Sequence, residues 1–213
     1  MSNSEPLEII KLLKENYPNA KYYLNFSNPV ELLVAAILSA QCHDEVVNST
    51  TEVLFKKYKS AKDFADANNE ELVKDIDKIT FAGNKAKNII SSCKILVEKY
   101  NSEVPRTMDE LTSLPGIGNK TALTILINAY GIVPGISCDA HVIRLSYRLG
   151  WTKNKNPDKI REDLEKIIPK DDWTKITWLL KAHGRKICLA PNPYCSKCFL
   201  ADVCPKNGVV KKL

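Results

Sequence analysis

Apolar residues recur along this chain at the spacing of helix turns. The alternation of apolar and polar residues that is typical of strands is confined to short stretches such as residues 22–24. Ile9, Ile10, Leu12 and Leu13 indicate a first helix. A second should open at Pro29, because proline is favoured in a first turn behind a capping residue such as Asn28 and lacks the amide hydrogen a later turn needs. The sequence therefore predicts an all-α protein, with further helices over 46–58, 70–79, 86–100, 142–149, 158–168 and 173–187.

Composition restricts the class of protein further. The 213 residues are 44% hydrophobic and 26% charged, as in a globular protein of one or two domains, and the Gly and Pro near 133–135 predict a domain boundary there. The longest apolar run, 32–38, is far shorter than the roughly 20 residues that span a bilayer. The start of the chain shows no basic segment followed by an apolar one, so we expect a cytoplasmic protein, nucleoid-associated if prokaryotic, with no membrane partner. Its net charge of +6 favours a polyanionic partner without requiring one.

The stretch SLPGIGNK, residues 113–120, predicts a turn between two helices, which we call the hairpin. Thr107 and Glu110 fit a capping box that opens a helix over 108–113, and Pro115 stops that helix. Gly116 and Gly118 then place no side-chain bulk before the next helix, residues 121–130, whose first amides are free. Free amides at the positive end of a helix dipole suit a phosphate. The glycines could equally serve only the geometry of a tight turn.

Lys120 follows the hairpin directly and has two possible roles. It could contact a phosphate, or its neutral amine could form a Schiff base with a sugar aldehyde. Asp139, nineteen residues later, is a candidate carboxylate to accept a proton or to stabilise a developing sugar cation. An aspartate that precedes a helical run is also a common N-cap, and both roles are compatible.

Four of the seven cysteines, in the pattern C-x6-C-x2-C-x5-C, lie within seventeen residues near the end of the chain. A metal site explains them better than disulfides in a cytoplasmic protein. Only one pair has the short spacing usual for structural zinc, so the spacing leans toward an iron-sulfur cluster but leaves zinc open. The remaining cysteines, Cys42, Cys93 and Cys138, fit small core residues. The four clustered residues, called here the cysteine centre, are Cys188, Cys195, Cys198 and Cys204.

Together, LPGIGNKTA, CDAHVIRL, HGRKIC and the cysteine pattern resemble the endonuclease III branch of the helix-hairpin-helix DNA glycosylases. ILSAQCHDEVVN and NKAKNI extend the resemblance over about residues 28–204. It implies a two-lobed all-α fold: a six-helix lobe over 22–132, which contains the helix-hairpin-helix at about 107–130, and a second lobe formed by 1–21 plus 133–213. It also implies a [4Fe-4S] cluster on the loop 188–204, with DNA lying between the lobes.

The resemblance implies roles for individual residues. Lys120 matches the lysine that attacks C1′ of the damaged nucleotide, and Asp139 matches the acidic residue that assists it. Gln41 falls on the glutamine that fills the gap left by the flipped nucleotide, and Phe81 falls on the apolar wedge, although a core aromatic is the alternative for Phe81. The other implied DNA-binding residues are Pro115, Gly116, Gly118 and His141, and the implied cluster ligands are Cys188, Cys195, Cys198 and Cys204.

The implied function is a monomeric bifunctional DNA glycosylase and AP lyase that acts on duplex DNA. It would remove oxidised or reduced pyrimidines and nick the abasic site by β-elimination through a lysine Schiff base. One alternative is a monofunctional uracil, thymine or adenine mismatch glycosylase of the same fold, although Lys120 counts against it. Another is a non-catalytic DNA-binding or redox module.

Some positions depart from the family pattern. Thr80–Gly83 rearranges the usual wedge loop, which has a glycine before the apolar residue and an aromatic after it. Asn119 stands where a basic residue is common, and Ala140 where threonine is usual. Residues 189–194 include no Lys or Arg, although such loops often bring basic side chains to DNA. Lesion preference is therefore left open by the sequence.

Overall fold

The computed structural model describes residues 4–210, and within that range it is all helical, with no strand. Residues 1–3 and 211–213, the ends of the predicted second lobe, lie outside the described range. The helices are α1 Ser4–Asn16, α2 Pro29–Ser39, α3 Asp44–Lys57, α4 Ala61–Ala65, α5 Asn69–Asp75, α6 Ala82–Lys99, α7 Met108–Thr112, α8 Asn119–Tyr130, α9 Ala140–Arg148, α10 Pro157–Ile167 and α11 Trp173–Lys186, with short 3-10 turns at Lys170–Asp172 and Cys195–Lys197.

Helix boundaries follow the capping residues. The Asn28 side chain accepts a hydrogen bond of 3.0 Å from the Glu31 amide, and Pro29 opens α2 as predicted. The five-residue α4 was not predicted, because it is too short to show a period, yet Ser60 and Asp63 form a complete capping box at its start. Helix α6 begins at Ala82, four residues before the predicted segment.

The contacts divide the chain into two compact units. Unit 2, Tyr23–Ile132, is organised around α2. Every residue from Leu32 to Leu38 is buried, so α2 is apolar on all sides and packs against α3, α6 and α8. Helices α4 and α5 pack on α6, and α7 packs on α8. The buried α2 thus gives a fixed support to the segment that follows it, where Gln41 lies.

Unit 1 lies within Met1–Tyr22 and Val133–Leu213. Its helix α11 packs against α1 and α9, and α9 also packs against α10. Leu13, Leu145 and Leu180 are among its fully buried core residues. Three of the four residues of the cysteine centre pack against this core from the segment after α11. The cysteine centre is therefore built on the core of unit 1.

Among residues 4–210, none of the helices combines the length and the apolar character that a membrane crossing requires.

Candidate functional site

The hairpin is anchored in unit 2 by two contacts with α6. The Ser92 hydroxyl donates a hydrogen bond of 2.8 Å to the Pro115 carbonyl. Gly116 has φ of +81°, and a Cβ atom at this position would lie 2.8 Å from Nδ2 of Asn88. Only glycine satisfies both the left-handed backbone and the close approach of α6. Gly116 is therefore required by the fold itself.

Gly118 is different, because the fold makes no demand on it. Its φ of −95° suits any residue, and nothing lies within 4 Å of the place where a Cβ would be. It is the N-cap of α8, and it supplies no side-chain hydrogen bond to the first turn. No N-cap side chain therefore caps the amides of that turn, which lie at the positive end of a twelve-residue helix. This is the local geometry that a phosphate-binding turn requires.

Lys120 is the second residue of α8, and its side chain is exposed. The amine thus stands beside the open helix terminus, where it is accessible to a reactant. The hairpin therefore brings together, within one turn, helix amides that have no side-chain cap and a primary amine. Phosphate contact and nucleophilic attack are both open to an amine in this position.

Asp139 caps α9 in unit 1. Its Oδ1 accepts hydrogen bonds from the amides of His141, at 2.8 Å, and Val142, at 2.9 Å. The N-cap role predicted from the sequence is confirmed. Because both bonds fall on Oδ1, the half-buried carboxylate keeps its second oxygen for another partner. The cap also fixes the direction in which that oxygen points.

His141 lies in the first turn of the same helix. Its Nδ1 is 3.1 Å from Nη2 of Arg144, and that guanidinium also donates to the carbonyl oxygens of Gly184 and Cys188, each at 3.1 Å. Gly184 makes room for this arrangement, since a Cβ there would lie 2.6 Å from Nδ1 of His141. Arg144 therefore connects the half-buried His141, in the first turn of α9, to α11 and to the start of the cysteine centre.

Gln41 and Phe81 are both exposed and both have left-handed backbone conformations, with φ of 54° and 59°. Phe81 is 64% exposed, so it is not a core aromatic, and this removes the structural alternative for it. Left-handed non-glycine residues are uncommon and cluster at functional sites. An exposed phenylalanine in this conformation at the start of α6 is positioned to contact a partner.

The four residues of the cysteine centre line one cavity in unit 1, together with Arg148, His183 and apolar side chains. None of them forms a disulfide. Within residues 4–210, no three potential ligand side chains approach closely enough to share a single metal ion. A four-iron cluster takes one thiolate at each iron, so four cysteines around one cavity fit such a group.

Hydrogen-bond donors surround these sulfurs. Nη1 of the buried Arg148 is 3.2 Å from the Cys188 sulfur, and the Leu200 amide donates to Cys198 at 3.4 Å. Burial raises the pKa of the Cys198 thiol to about 11. Burial also lowers the pKa of the neighbouring His183 to about 4, which keeps that ring neutral at neutral pH.

The family model for the HhH-GPD superfamily base excision DNA repair protein matches residues 34–170. The endonuclease III of Synechocystis sp. is 46% identical over 198 residues, which are 93% of this chain and 90% of the relative. The endonuclease III of Bacillus subtilis is 41% identical over an alignment of 220 positions, which covers 100% of this chain and 100% of the relative. The chain belongs to the endonuclease III family.

A solved structure agrees with this membership. The structure of a trapped covalent intermediate between endonuclease III and DNA matches with a TM-score of 0.90 and 39% identity, over 97% of each chain. As a member of the endonuclease III family, the chain is a base-excision-repair DNA glycosylase and AP lyase. The helix-hairpin-helix fold predicted from the motifs is confirmed.

Sequence reasoning missed two buried residues of this endonuclease III homologue that support the site, Arg148 and Lys85. The buried Arg148 donates at 2.7 Å to the carbonyl oxygens of both Leu189 and Ala190, which holds the non-basic 189–194 segment against α9. Lys85 is a buried lysine in α6. Lysine and arginine are seldom buried without partners, but their partners here are backbone carbonyls. Carbonyls leave no signature in a sequence, so nothing in the pattern singled these two residues out.

Proposed function

We propose that this chain removes oxidised or reduced pyrimidines from duplex DNA and cuts the strand at the resulting abasic site through a Schiff base on Lys120. The observation that carries the proposal is the exposed Lys120 amine in the first turn of α8, beside amides that no side chain caps. A phosphate bound on those amides would fix the position of the adjoining sugar, and the amine follows the phosphate site within two residues. The DNA partner is a duplex that holds a damaged base or an abasic site.

In the proposed reaction, the Lys120 amine attacks C1′ and donates its electron pair to the new C–N bond. The glycosidic bond breaks, and the base leaves with the bonding pair and gains a proton. Of the two amine protons, one balances the proton that the base takes up, and the other passes to the ring oxygen O4′ as the C1′–O4′ bond breaks and the sugar opens to the Schiff base. Removal of a proton from C2′ then expels the 3′ phosphate, and hydrolysis of the remaining imine frees the enzyme.

Asp139 is proposed to assist this attack with the carboxylate oxygen that the helix cap does not use. That oxygen could accept a proton or stabilise positive charge on the sugar. The N-cap bonds contribute by holding the carboxylate in one orientation. His141, two residues after Asp139 in the first turn of α9, is proposed to contact the DNA as well.

Recognition requires the damaged nucleotide to leave the base stack. We assign insertion into the resulting gap to Gln41 and the wedge role to Phe81, since both are exposed. Unstacking costs a few kcal/mol, and an inserted side chain recovers part of that cost. Pro115, Gly116 and Gly118 are proposed to form the backbone contact to the phosphate, with Gly118 leaving the space for it.

The cysteine centre is proposed to hold a [4Fe-4S] cluster through Cys188, Cys195, Cys198 and Cys204, which line the same cavity. When bound, such a cluster supplies a fourfold cross-link to the segment after α11. The donors from Arg148 and the Leu200 amide would stabilise the negative charge on the ligating sulfurs. We infer a structural task for the cluster, because the segment from 188 to 204 has no long helix of its own.

Single-turnover assays on a panel of duplexes test the proposal. The panel holds thymine glycol, dihydrouracil, uracil, base mismatches and abasic sites, and base release and strand cleavage are measured separately. We expect release and cleavage together at thymine glycol and dihydrouracil, and cleavage at abasic sites. Release of uracil or of mismatched bases without cleavage would contradict the proposal and favour a monofunctional mismatch glycosylase.

A further inference from the structure

The C-terminal end of helix α2, in unit 2, is bound by a cationic side chain from another helix. The last turn of α2 contains no basic residue of its own. Instead, Nζ of Lys85, in the first turn of α6, donates hydrogen bonds to the carbonyl oxygens of Leu38, at 2.8 Å, and Ala40, at 2.6 Å. The residue is only 5% exposed, and burial lowers its pKa. Because helix C-termini carry partial negative charge, the ammonium is well placed to hold the end of α2.

Thr80 connects this cation to the Gln41 backbone. The Thr80 hydroxyl donates a hydrogen bond of 2.8 Å to the carbonyl oxygen of Gln41. Its oxygen lies 3.5 Å from Nζ of Lys85, at the outer limit for a hydrogen bond. The segments that contain Gln41 and Phe81 are therefore joined by one side-chain hydroxyl, thirty-nine residues away in sequence from the carbonyl that it binds.

Gln41 and Phe81 have left-handed backbone conformations, which are unfavourable for residues other than glycine. Gln41 and Phe81 each have positive φ, although neither is glycine. Such conformations persist where surrounding contacts hold them. Here the Thr80 bond falls on the Gln41 carbonyl itself, and Thr80 is the residue directly before Phe81. One contact thus restrains both backbones.

We propose that Thr80 and Lys85 form a latch that fixes Gln41 and Phe81 relative to each other, which makes Thr80 a positioning residue for extrusion of the damaged nucleotide. The inference rests on the DNA roles proposed above for Gln41 and Phe81. A wedge and a gap-filling side chain must enter the base stack together, so their spacing determines how well they replace the lost stacking. Fixing them before DNA binds avoids the cost of ordering two exposed loops in the complex.

The latch is tested with Thr80→Val, which keeps the shape of the side chain but removes the hydroxyl. Thr80→Ser restores the hydroxyl, and Thr51→Val is a control for loss of a threonine hydroxyl elsewhere in unit 2, since the Thr51 hydroxyl donates to the Asn48 carbonyl within its own helix at 3.2 Å. Two single-turnover rates are measured for each variant: base release from a thymine glycol duplex, and cleavage of a preformed abasic duplex. Fluorescence of 2-aminopurine next to the lesion reports local unstacking.

We expect Thr80→Val to slow base release and unstacking about tenfold and to change abasic cleavage less than twofold. The two rates should separate because an abasic site has no base to unstack. Thr80→Ser and Thr51→Val should match the unsubstituted protein in both assays. Equal rates for Thr80→Val and the unsubstituted protein, or equal slowing of base release and abasic cleavage, would overturn the latch.

The variants Gln41→Ala and Phe81→Ala separate failure of the latch from failure of the proposed function. If each slows base release while Thr80→Val does not, the latch alone is wrong. If neither Gln41→Ala nor Phe81→Ala slows base release, although the protein still cleaves abasic DNA, the assigned roles of Gln41 and Phe81 are wrong. The latch is then wrong as well. If Thr80→Val has little further effect in a Phe81→Ala background, the two residues act together as the latch requires.

Discussion

At the scale of single residues, the two hairpin glycines have different reasons to be glycine. Gly116 has φ of +81° and leaves no space toward Asn88, so the fold requires it. Gly118 has an ordinary backbone conformation and open space before it, so the fold would accept a side chain there. The requirement at Gly118 is therefore expected to come from the DNA backbone.

We predict that alanine at Gly116 lowers the stability of the protein, whereas alanine at Gly118 lowers its affinity for DNA. Gly116→Ala should lower the free energy of unfolding by about 1–3 kcal/mol, the usual cost of a strained left-handed residue. Gly118→Ala should change it by less than about 0.5 kcal/mol, as for an unconstrained surface site. Urea denaturation measures stability, and fluorescence anisotropy with an abasic-analogue duplex measures affinity, which Gly118→Ala should weaken. Unchanged affinity in Gly118→Ala would contradict the proposed phosphate site.

Asp139 combines a structural and a chemical task, and two substitutions separate them. Asparagine caps a helix as well as aspartate does, so Asp139→Asn should keep the stability of the protein, whereas Asp139→Ala should lose about 1 kcal/mol. Both should lower the single-turnover rate of base release at least about a hundredfold, since both remove the carboxylate charge. If Asp139→Asn released the base at the original rate, Asp139 would be a helix cap and no more.

At the scale of elements, α2 and α6 determine how unit 2 presents its exposed residues. Helix α2 is buried on all sides, and the Lys85 side chain holds its end. The first turn of α6 carries both Lys85 and, as its N-cap, Phe81. The core of the unit is therefore linked directly to the two side chains that we assign to the base stack.

Lys85→Met should destabilise the protein by about 1–3 kcal/mol, because the carbonyls of Leu38 and Ala40 lose their donor inside the structure. Lys87→Met is a matched control, since Lys87 is an exposed lysine in the same helix. It should change stability by less than about 0.5 kcal/mol. The comparison is made by urea denaturation, and equal stability of the two variants would show that the buried ammonium contributes nothing to the fold.

Most helices could be predicted from the sequence, because an apolar period and a capping residue are local signals. Asn28 and Pro29 predicted the start of α2 correctly. The start of α6 was predicted four residues late, because Gly83 and Asn84 interrupt the apolar period and the left-handed Phe81 has no local signature. Lys85 was missed for a related reason: its acceptors are backbone carbonyls forty-five and more residues away.

At the scale of the whole molecule, the residues assigned to catalysis belong to two different units. Lys120 is part of unit 2 and Asp139 is part of unit 1, the unit that also contains the cysteine centre. Local patterns predicted each of these features, namely the turn, the helix cap and the metal-binding spacing. That these features serve one function was inferred from the resemblance to a family. No local pattern indicates which distant residues act on the same substrate.

Loss of the cysteine centre should affect unit 1 as a whole. Cys195→Ser should abolish the visible absorbance of an iron-sulfur cluster and lower the thermal stability of the protein, because one of four cross-links is removed. Cys93→Ala, a change at a buried cysteine of unit 2, is the control and should keep the absorbance. A Cys195→Ser protein with unchanged absorbance, or with full stability after the absorbance is lost, would contradict the structural role proposed for the cluster.

The central claim is that Lys120 forms the covalent bond to DNA, and borohydride trapping tests it most directly. Incubation of the protein with an abasic duplex and borohydride should give a stable protein–DNA adduct, and mass spectrometry should place the modification on the peptide that contains Lys120. Lys120→Gln should give no adduct while it still binds the duplex. Absence of an adduct with the unsubstituted protein, or an adduct that persists in Lys120→Gln, would contradict the account.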